Sequence, residues 1–252
     1  NEVLRVLPRL HEDINEEWIS DKTRFACDGL RRQRLDRPYV RGEDGRLVEA
    51  SWSDALEAAA ERLKGAGAKA AAIGGDQACA ESMYALKALI GSLGSPHLDC
   101  RQDGAAVDPD VRASYLFNTS IAGIEDADAC LLIGTNPRWE APLINARLRK
   151  RWLEGGFKVA AIGPQVDLTY DCEYLGAGPE TLQQVADGSH AFAQVLKDAE
   201  RPMLILGMGA LTRSDGAAVL AAARKIAEDA GMVADGWNGF NVLHTAAAGG
   251  GG

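Results

Sequence analysis

The chain has 252 residues, about 1.7 times an average domain, so one large or two modest domains are expected, each with a core of its own. Apolar residues make up 46% and charged residues 25%, and the longest unbroken apolar run, Ala217 to Ala223, is far shorter than a membrane span. This excludes a disordered chain and a membrane-spanning helix. Twenty-seven basic against thirty-six acidic side chains leave a net charge of −9, which argues against nonspecific nucleic-acid binding.

Five cysteines (Cys27, Cys79, Cys100, Cys130, Cys172) are odd in number, widely spaced and without a Cys-x-x-Cys pair, so no disulfide framework or self-contained metal site is expected, and a reducing compartment fits. The chain opens at Asn1 without a cationic or apolar leader, and is read as a piece of a longer polypeptide. Residues 1–50 form an irregular β lead-in, with Glu43-Asp44-Gly45 turning a short hairpin between Tyr39-Val40 and Leu47-Val48. Within it, Lys22 to Arg41 carries seven Lys/Arg against two Asp, a local +5.

From Ser51 the pattern becomes helical. Ser51 and Asp54 make a capping box, and Trp52, Ala55/Leu56, Ala59 and Leu63 mark a helix over about 53–64. Four short apolar strands follow, each running into glycine. Ala70–Ile73 leads to Gly74-Gly75-Asp76 and a helix with Met83, Leu86, Ile90 and Leu93 on one stripe. Ala129–Ile133 leads to Gly134-Thr135-Asn136-Pro137 and a helix burying Ile144, Leu148 and Trp152. Val159–Ile162 leads to Gly163-Pro164. Met203–Leu206 leads to Gly207-Met208-Gly209 and, after Asp215 as N-cap, a helix with Leu220, Ala223 and Ala227 inward. Fully apolar strands joined by helices imply an α/β, doubly wound, mostly parallel sheet with helices on both faces, spanning 51–245. The Gly-rich tail, 246–252, is expected to be flexible.

The loops at the carboxyl ends of such strands form the ligand edge of a parallel sheet. The pocket candidates are therefore Gly74, Gly75, Gly134, Thr135, Asn136, Gly163, Gly207 and Gly209. The chemical motifs are missing. Thr212 replaces the third glycine of a dinucleotide fingerprint, and there is neither a phosphate loop nor a Gly-x-Ser-x-Gly elbow. His11, His97, His190 and His244 are scattered and read as caps or packing residues, and the carboxylate pairs Glu16/Glu17 and Asp126/Asp128 as caps or solvated groups. No catalytic or metal-binding residue is assigned.

The order Cys27-Asp28-Gly29-Leu30, Arg34-Leu35, Pro38, Arg41, Gly45, Ser51-Trp52 with Ala55-Leu56, then Gly134-Thr135-Asn136-Pro137 and Gly207-Met208-Gly209 with Gly216, resembles the molybdopterin oxidoreductases. Longer strings are similar to one branch, the large iron–sulfur subunit of respiratory complex I, in its mitochondrial and alphaproteobacterial form. They are Arg5–Arg9, His11–Phe25, Arg32–Leu35, Gly134–Arg138, Asn145-Ala146-Arg147, Val166–Tyr170 and Asp215–Ala218.

The resemblance implies a molybdopterin oxidoreductase-like fold in an electron-transfer subunit of NADH:quinone oxidoreductase. The [2Fe–2S] and [4Fe–4S] clusters of the parent subunit would lie upstream of Asn1, with no cofactor in this fragment. Other peripheral-arm subunits would be partners, on the cytoplasmic or matrix side of the membrane, without nucleic acid or direct membrane insertion. The family's cluster cysteine and pterin-side lysine correspond to Ala26 and Asp28, and its Asp-Pro-Arg to Gly163-Pro164-Gln165. The implied reading is a scaffold with an emptied pocket. Its docking residues are expected to be Arg31, Arg32 and Arg34 on the strip and Arg147, Lys150 and Arg151 on a helix. The alternatives are a formate-dehydrogenase-like molybdopterin enzyme and a nucleotide-binding regulatory module.

Overall fold

A computed structural model describes residues 2–100 and 103–246. The flexible tail expected over 246–252 lies outside these residues except for Ala246. The chain forms two compact units, one containing residues 2–7 and 21–100, the other Pro8–Ser20 and 103–246. The first Gly-ended strand lies in the first of these units, in a small sheet of its own.

In the first unit, helix α1 (Asp21–Phe25) runs into a 3-10 turn, Ala26–Arg31. Strands β1 (Tyr39–Arg41) and β2 (Leu47–Glu49) form the expected antiparallel hairpin, and Arg46 N–H bonds the Asp44 carboxylate within the turn. Helix α2 (Trp52–Ala66) starts at Ser51, whose hydroxyl accepts from Asp54 N–H as the capping box requires. Of its expected inward stripe Ala55 and Leu63 are half-buried, Ala58 takes the place of Ala59, and Trp52 and Leu56 are exposed. Strand β3 (Ala72–Ile73), helix α3 (Ala80–Ser92) and strand β4 (Leu98–Asp99) complete the unit, with β3 and β4 parallel and Ile90 buried.

The second unit is built on five parallel strands: β5 (Ala129–Ile133), β6 (Lys158–Ile162), β7 (Glu173–Gly176), β8 (Pro202–Gly207) and β11 (Phe240–Leu243). They lie in the order β11-β8-β5-β6-β7. Between them run α4 (Pro137–Glu140), α5 (Pro142–Leu153), α6 (Pro179–Ala186), α7 (Ala191–Asp198), α8 (Met208–Leu211) and α9 (Gly216–Asp229). A small hairpin, β9 (Val233–Ala234) and β10 (Trp237–Asn238), precedes β11.

Alternation along fully buried strands divides the core. Leu131, Ile133, Leu204 and Leu206 face Leu182, Leu196, Leu220 and Ala223 of α6, α7 and α9. Cys130, Leu132, Met203 and Ile205 face Ile144 and Leu148 of α5. Both faces are covered, so the sheet is doubly wound. Asp215 departs from expectation: its carboxylate takes both Nε–H and an Nη–H of Arg213, at 2.7 and 3.0 Å, and makes no side-chain cap on α9.

Buried polar groups are paired into the frame. Asn241, fully buried in β11, accepts from Thr119 N–H and donates to Thr119 Oγ1 and to the Leu204 and Gly239 carbonyls, covering the β11 edge. Asn145 of α5 donates to the Leu168 carbonyl and accepts from the Tyr170 hydroxyl.

Candidate functional site

The strand order reverses between β5 and β8, because the chain builds outward from β5 through β6 to β7 and then crosses to β8 and β11. Ligands of doubly wound sheets bind in the crevice at this reversal, outside the carboxyl ends of the strands. Gly134-Thr135-Asn136 leaves β5 and Gly207-Met208-Gly209 leaves β8, so the sequence places two of its glycine loops at the crevice. Gly163 ends the neighbouring β6. Gly74 and Gly75 are not on this sheet: β3 pairs with β4 alone, in the other unit, where Gly74 N–H bonds the Asp99 carbonyl at 2.8 Å. This sheet therefore carries three of the four expected loops.

Those three loops touch one another. A Cβ on Gly207 would lie 2.5 Å from the Gly134 carbonyl oxygen and 2.8 Å from Thr135 Cβ. Gly134 has φ +57°, and a Cβ on it would meet Ala210 Cβ at 2.7 Å, while one on Gly163 would meet Gly134 Cα at 3.4 Å. Gly209, by contrast, has open space around its missing side chain. Glycine at 134 and 207 lets backbone approach backbone across the crevice.

The donors at the crevice are also engaged. Glu140, in the last position of α4, folds back so that its carboxylate accepts from Asn136 N–H at 2.6 Å and from the Thr135 hydroxyl at 3.0 Å. No cation among the described residues pairs with it. Thr135 is buried, and the Asn136 side-chain oxygen is buried with no partner among the described residues. Sequence reasoning missed Glu140, although a Glu shortly after a Thr-Asn-Pro helix start is a capping signal. Gln165 is exposed in the loop after β6, and Asp167, which pairs with Arg138 at 2.7 Å, has its carboxyl held below its usual range by the bond from Thr169 N–H and then by Arg138.

The cations named from the sequence fall into two groups. Arg32 and Arg34 are exposed, and Arg31 pairs with Glu2. Arg147 is buried and donates to the Glu125 carboxylate and the Glu12 carbonyl. Lys150 joins them, 2.6 Å from Glu16 and 3.0 Å from Glu125. Burial pushes Glu125 up, but Arg147 and Lys150 outweigh it and hold the carboxyl below its usual range. Arg151 caps loop carbonyls at Ala127 and Gly155, at 2.7 and 2.8 Å.

Among the described residues no group of three or more His, Cys, Asp or Glu is arranged to hold a metal ion. Cys27 donates to the Leu4 carbonyl, Cys100 is exposed, and Cys130 is buried, its thiol pushed well up by burial. His190 caps α7 by accepting from Phe192 N–H, as expected of a capping histidine. Among the described residues no helix is long and apolar enough to cross a membrane.

A doubly wound α/β body with glycine-ended strands at its reversal belongs to the class of folds whose ligands bind at that crevice. Within that class, residues 34–252 match the molybdopterin oxidoreductase family, and the chain belongs to it. Residues 1–28 match the 4Fe-4S domain of NADH-ubiquinone oxidoreductase NDSU1/NuoG-like proteins.

The chain is 48% identical over 243 residues to the mitochondrial NADH dehydrogenase [ubiquinone] iron-sulfur protein 1 of Solanum tuberosum, covering 96% of this chain and 33% of that protein. It is 46% identical over 249 residues to the G subunit of the NADH-quinone oxidoreductase of Rickettsia conorii, covering 98% and 37% respectively. The chain thus spans about a third of the length of these relatives. Among solved structures it resembles a chain of the formyltransferase/hydrolase complex of Methylorubrum extorquens, with TM-score 0.50 and 19% identity over 77% of this chain and 57% of that one. That likeness concerns the fold alone.

Proposed function

We propose that the chain is the scaffold region of the large iron–sulfur, electron-transfer subunit of NADH:quinone oxidoreductase, and that its family cofactor pocket is emptied. The names of the potato and Rickettsia relatives and the 4Fe-4S match over residues 1–28 support this parentage. The iron–sulfur clusters would be carried by the part of the subunit that precedes this region, and the electron path would run there. Its place would be the peripheral arm, on the cytoplasmic or matrix side, with other subunits of that arm as partners.

The observation that carries the emptied pocket is the closure of the strand reversal. A pterin dinucleotide needs room and free donors for its pyrophosphate at this edge. Here Gly207 lies against Gly134, and the Glu140 carboxylate takes the Thr135 and Asn136 donors. A fixed carboxylate at the place of a phosphate also repels an anion. The residues present do not fit the group, and no reaction step is assigned to it.

On this reading the exposed strip around Arg32 and Arg34 faces an acidic neighbouring subunit, where complementary charge fixes register. Arg147, Lys150 and Arg151 are spent within the chain and contribute nothing to that face.

The test is a thermal-shift titration with guanosine 5′-diphosphate, the nucleotide end of the family cofactor. A ligand that binds only the folded chain must raise its melting temperature. No shift is expected, and a saturable rise would overturn the emptied pocket and favour a nucleotide-binding module.

A further inference from the structure

Segment Pro8–Ser20 belongs to the stretch that matches the 4Fe-4S domain, yet it groups with the α/β unit, while the residues on either side of it group with the other unit. Few features of the segment hold it by themselves. It has one isolated bridge between His11 and Glu16, a turn around it, and bonds from Asn15 Nδ2 to the Arg9 and Trp18 carbonyls. Leu10, Ile14 and Trp18 are all more exposed than buried or nearly so, at 70, 48 and 58%. Of its apolar side chains only Pro8 and Ile19 are half-buried, so apolar burial fastens it weakly.

What fastens it is charge. Arg147 and Lys150 lie three residues apart on α5, hence on one face of the helix. They meet Glu125 from the 3-10 turn Ala122–Asp126 and Glu16 from the segment, two cations against two carboxylates. Arg147 also donates to the Glu12 backbone carbonyl, which reads the segment's path and not only its charge. The Arg147 side chain is 6% exposed, so this pairing is poorly screened by salt, whereas Lys150 at 43% stands at the rim.

We infer that Arg147 and Lys150 form an electrostatic latch that fastens Pro8–Ser20, the middle of the iron–sulfur-domain segment, to the α/β body. Arg147 is the positioning residue and Lys150 the salt-sensitive rim. The α5 face is thus a docking surface for an acidic strap, and the strap is Pro8–Ser20 itself. The latch holds this segment on the α/β unit, and it rests on the scaffold reading only for its purpose, not for its geometry.

Hydrogen exchange on the intact chain tests it, comparing wild type, Arg147→Met, Lys150→Glu and the charge swap Lys150→Glu with Glu16→Lys. Amides of residues 11–18 should exchange about tenfold faster or more in Arg147→Met and Lys150→Glu, with β5 and β8 still protected. The swap should restore protection relative to Lys150→Glu alone. Unchanged exchange of the strap in both single variants would overturn the latch, and so would failure of the swap to restore it. If Arg147→Met loosens the whole sheet, the Lys150→Glu pair alone decides. Binding of guanosine diphosphate would defeat the scaffold reading and leave this result untouched, so the two failures are distinguishable.

Discussion

Gly207→Ala tests the reason for glycine at the strand reversal. The new methyl carbon would sit 2.5 Å from the Gly134 oxygen, 2.8 Å from Thr135 Cβ and 3.1 Å from the Gly134 carbonyl carbon. Two of these are backbone atoms of a loop that is itself hydrogen-bonded, so no flexible side-chain end can yield. Gly207 has φ −77°, which alanine adopts freely, so the whole effect is overpacking, about 1–3 kcal/mol. For a chain of this size that lowers the melting temperature by roughly 2–12 °C.

Gly209→Ala is the internal control. It lies two residues on, inside α8, with nothing within 4 Å of its Cβ direction. Alanine there removes backbone freedom from the unfolded chain and should stabilise by about 0.4–1 kcal/mol. The assay is thermal denaturation followed at a signal from the α/β unit, such as exchange of β5 and β8 amides. If glycine is there to admit a phosphate, Gly207→Ala costs the ligand-free chain little. Equal melting temperatures for Gly207→Ala and wild type would therefore refute the packing account.

Other outcomes follow from single contacts. Asn241→Leu should destabilise by at least about 2 kcal/mol in urea titration, because Thr119 N–H and two carbonyls lose a buried partner; a neutral effect would mean that water replaces it. Glu140→Ala removes an acceptor from two donors and should cost about 0.5–2 kcal/mol, read in the same titration. Asp108 and Glu125 have carboxyls held low, Asp108 chiefly by Arg224 and Glu125 by Arg147 and Lys150 against its burial. Their contribution is present above the unfolded carboxylate range near ~4 and is lost as pH falls through the lower folded values. From these carboxyls, stability should be flat from about pH 5 to about pH 8 and fall below about pH 4, and Glu125→Gln should flatten the acid limb; above about pH 8 the buried Cys130 and Cys172 thiols, whose values are raised by burial, make it fall again. On native alkylation with iodoacetamide, Cys79 should react ahead of Cys130: Cys79 is exposed and its thiol is lowered by the Ser82 hydroxyl 3.1 Å away, whereas burial pushes Cys130 well up. Labelling of Cys130 first would contradict the packed β5.

Local chemistry made much of the fold legible. The Ser51 cap, the Asp44-Gly45 turn and the apolar runs of β5, β6 and β8 are each set within a few residues, and each appears where expected. Strands β7 and β11 were not legible, because Glu173 and Asn241 break their apolar pattern. Asn241 is satisfied in its buried place by Thr119, 122 positions away, and by the Leu204 and Gly239 carbonyls. The same distance effect hid the roles of Arg147 and Lys150: on the helix they read as a docking face for a neighbouring subunit, and only Glu16 and Glu125 turn them inward. At the strand reversal the sequence pointed to the right loops on one sheet. It could not show that Gly74 belongs to another sheet, nor that Glu140 folds back onto Thr135 and Asn136.

The most direct measurement is elemental analysis for molybdenum and tungsten on the purified chain, produced in cells that make the pterin cofactor. The account predicts neither metal above trace, because the loops after β5 and β8 meet across the crevice. Stoichiometric molybdenum or tungsten would contradict it and return Gly134 and Gly207 to the role of cofactor-binding glycines.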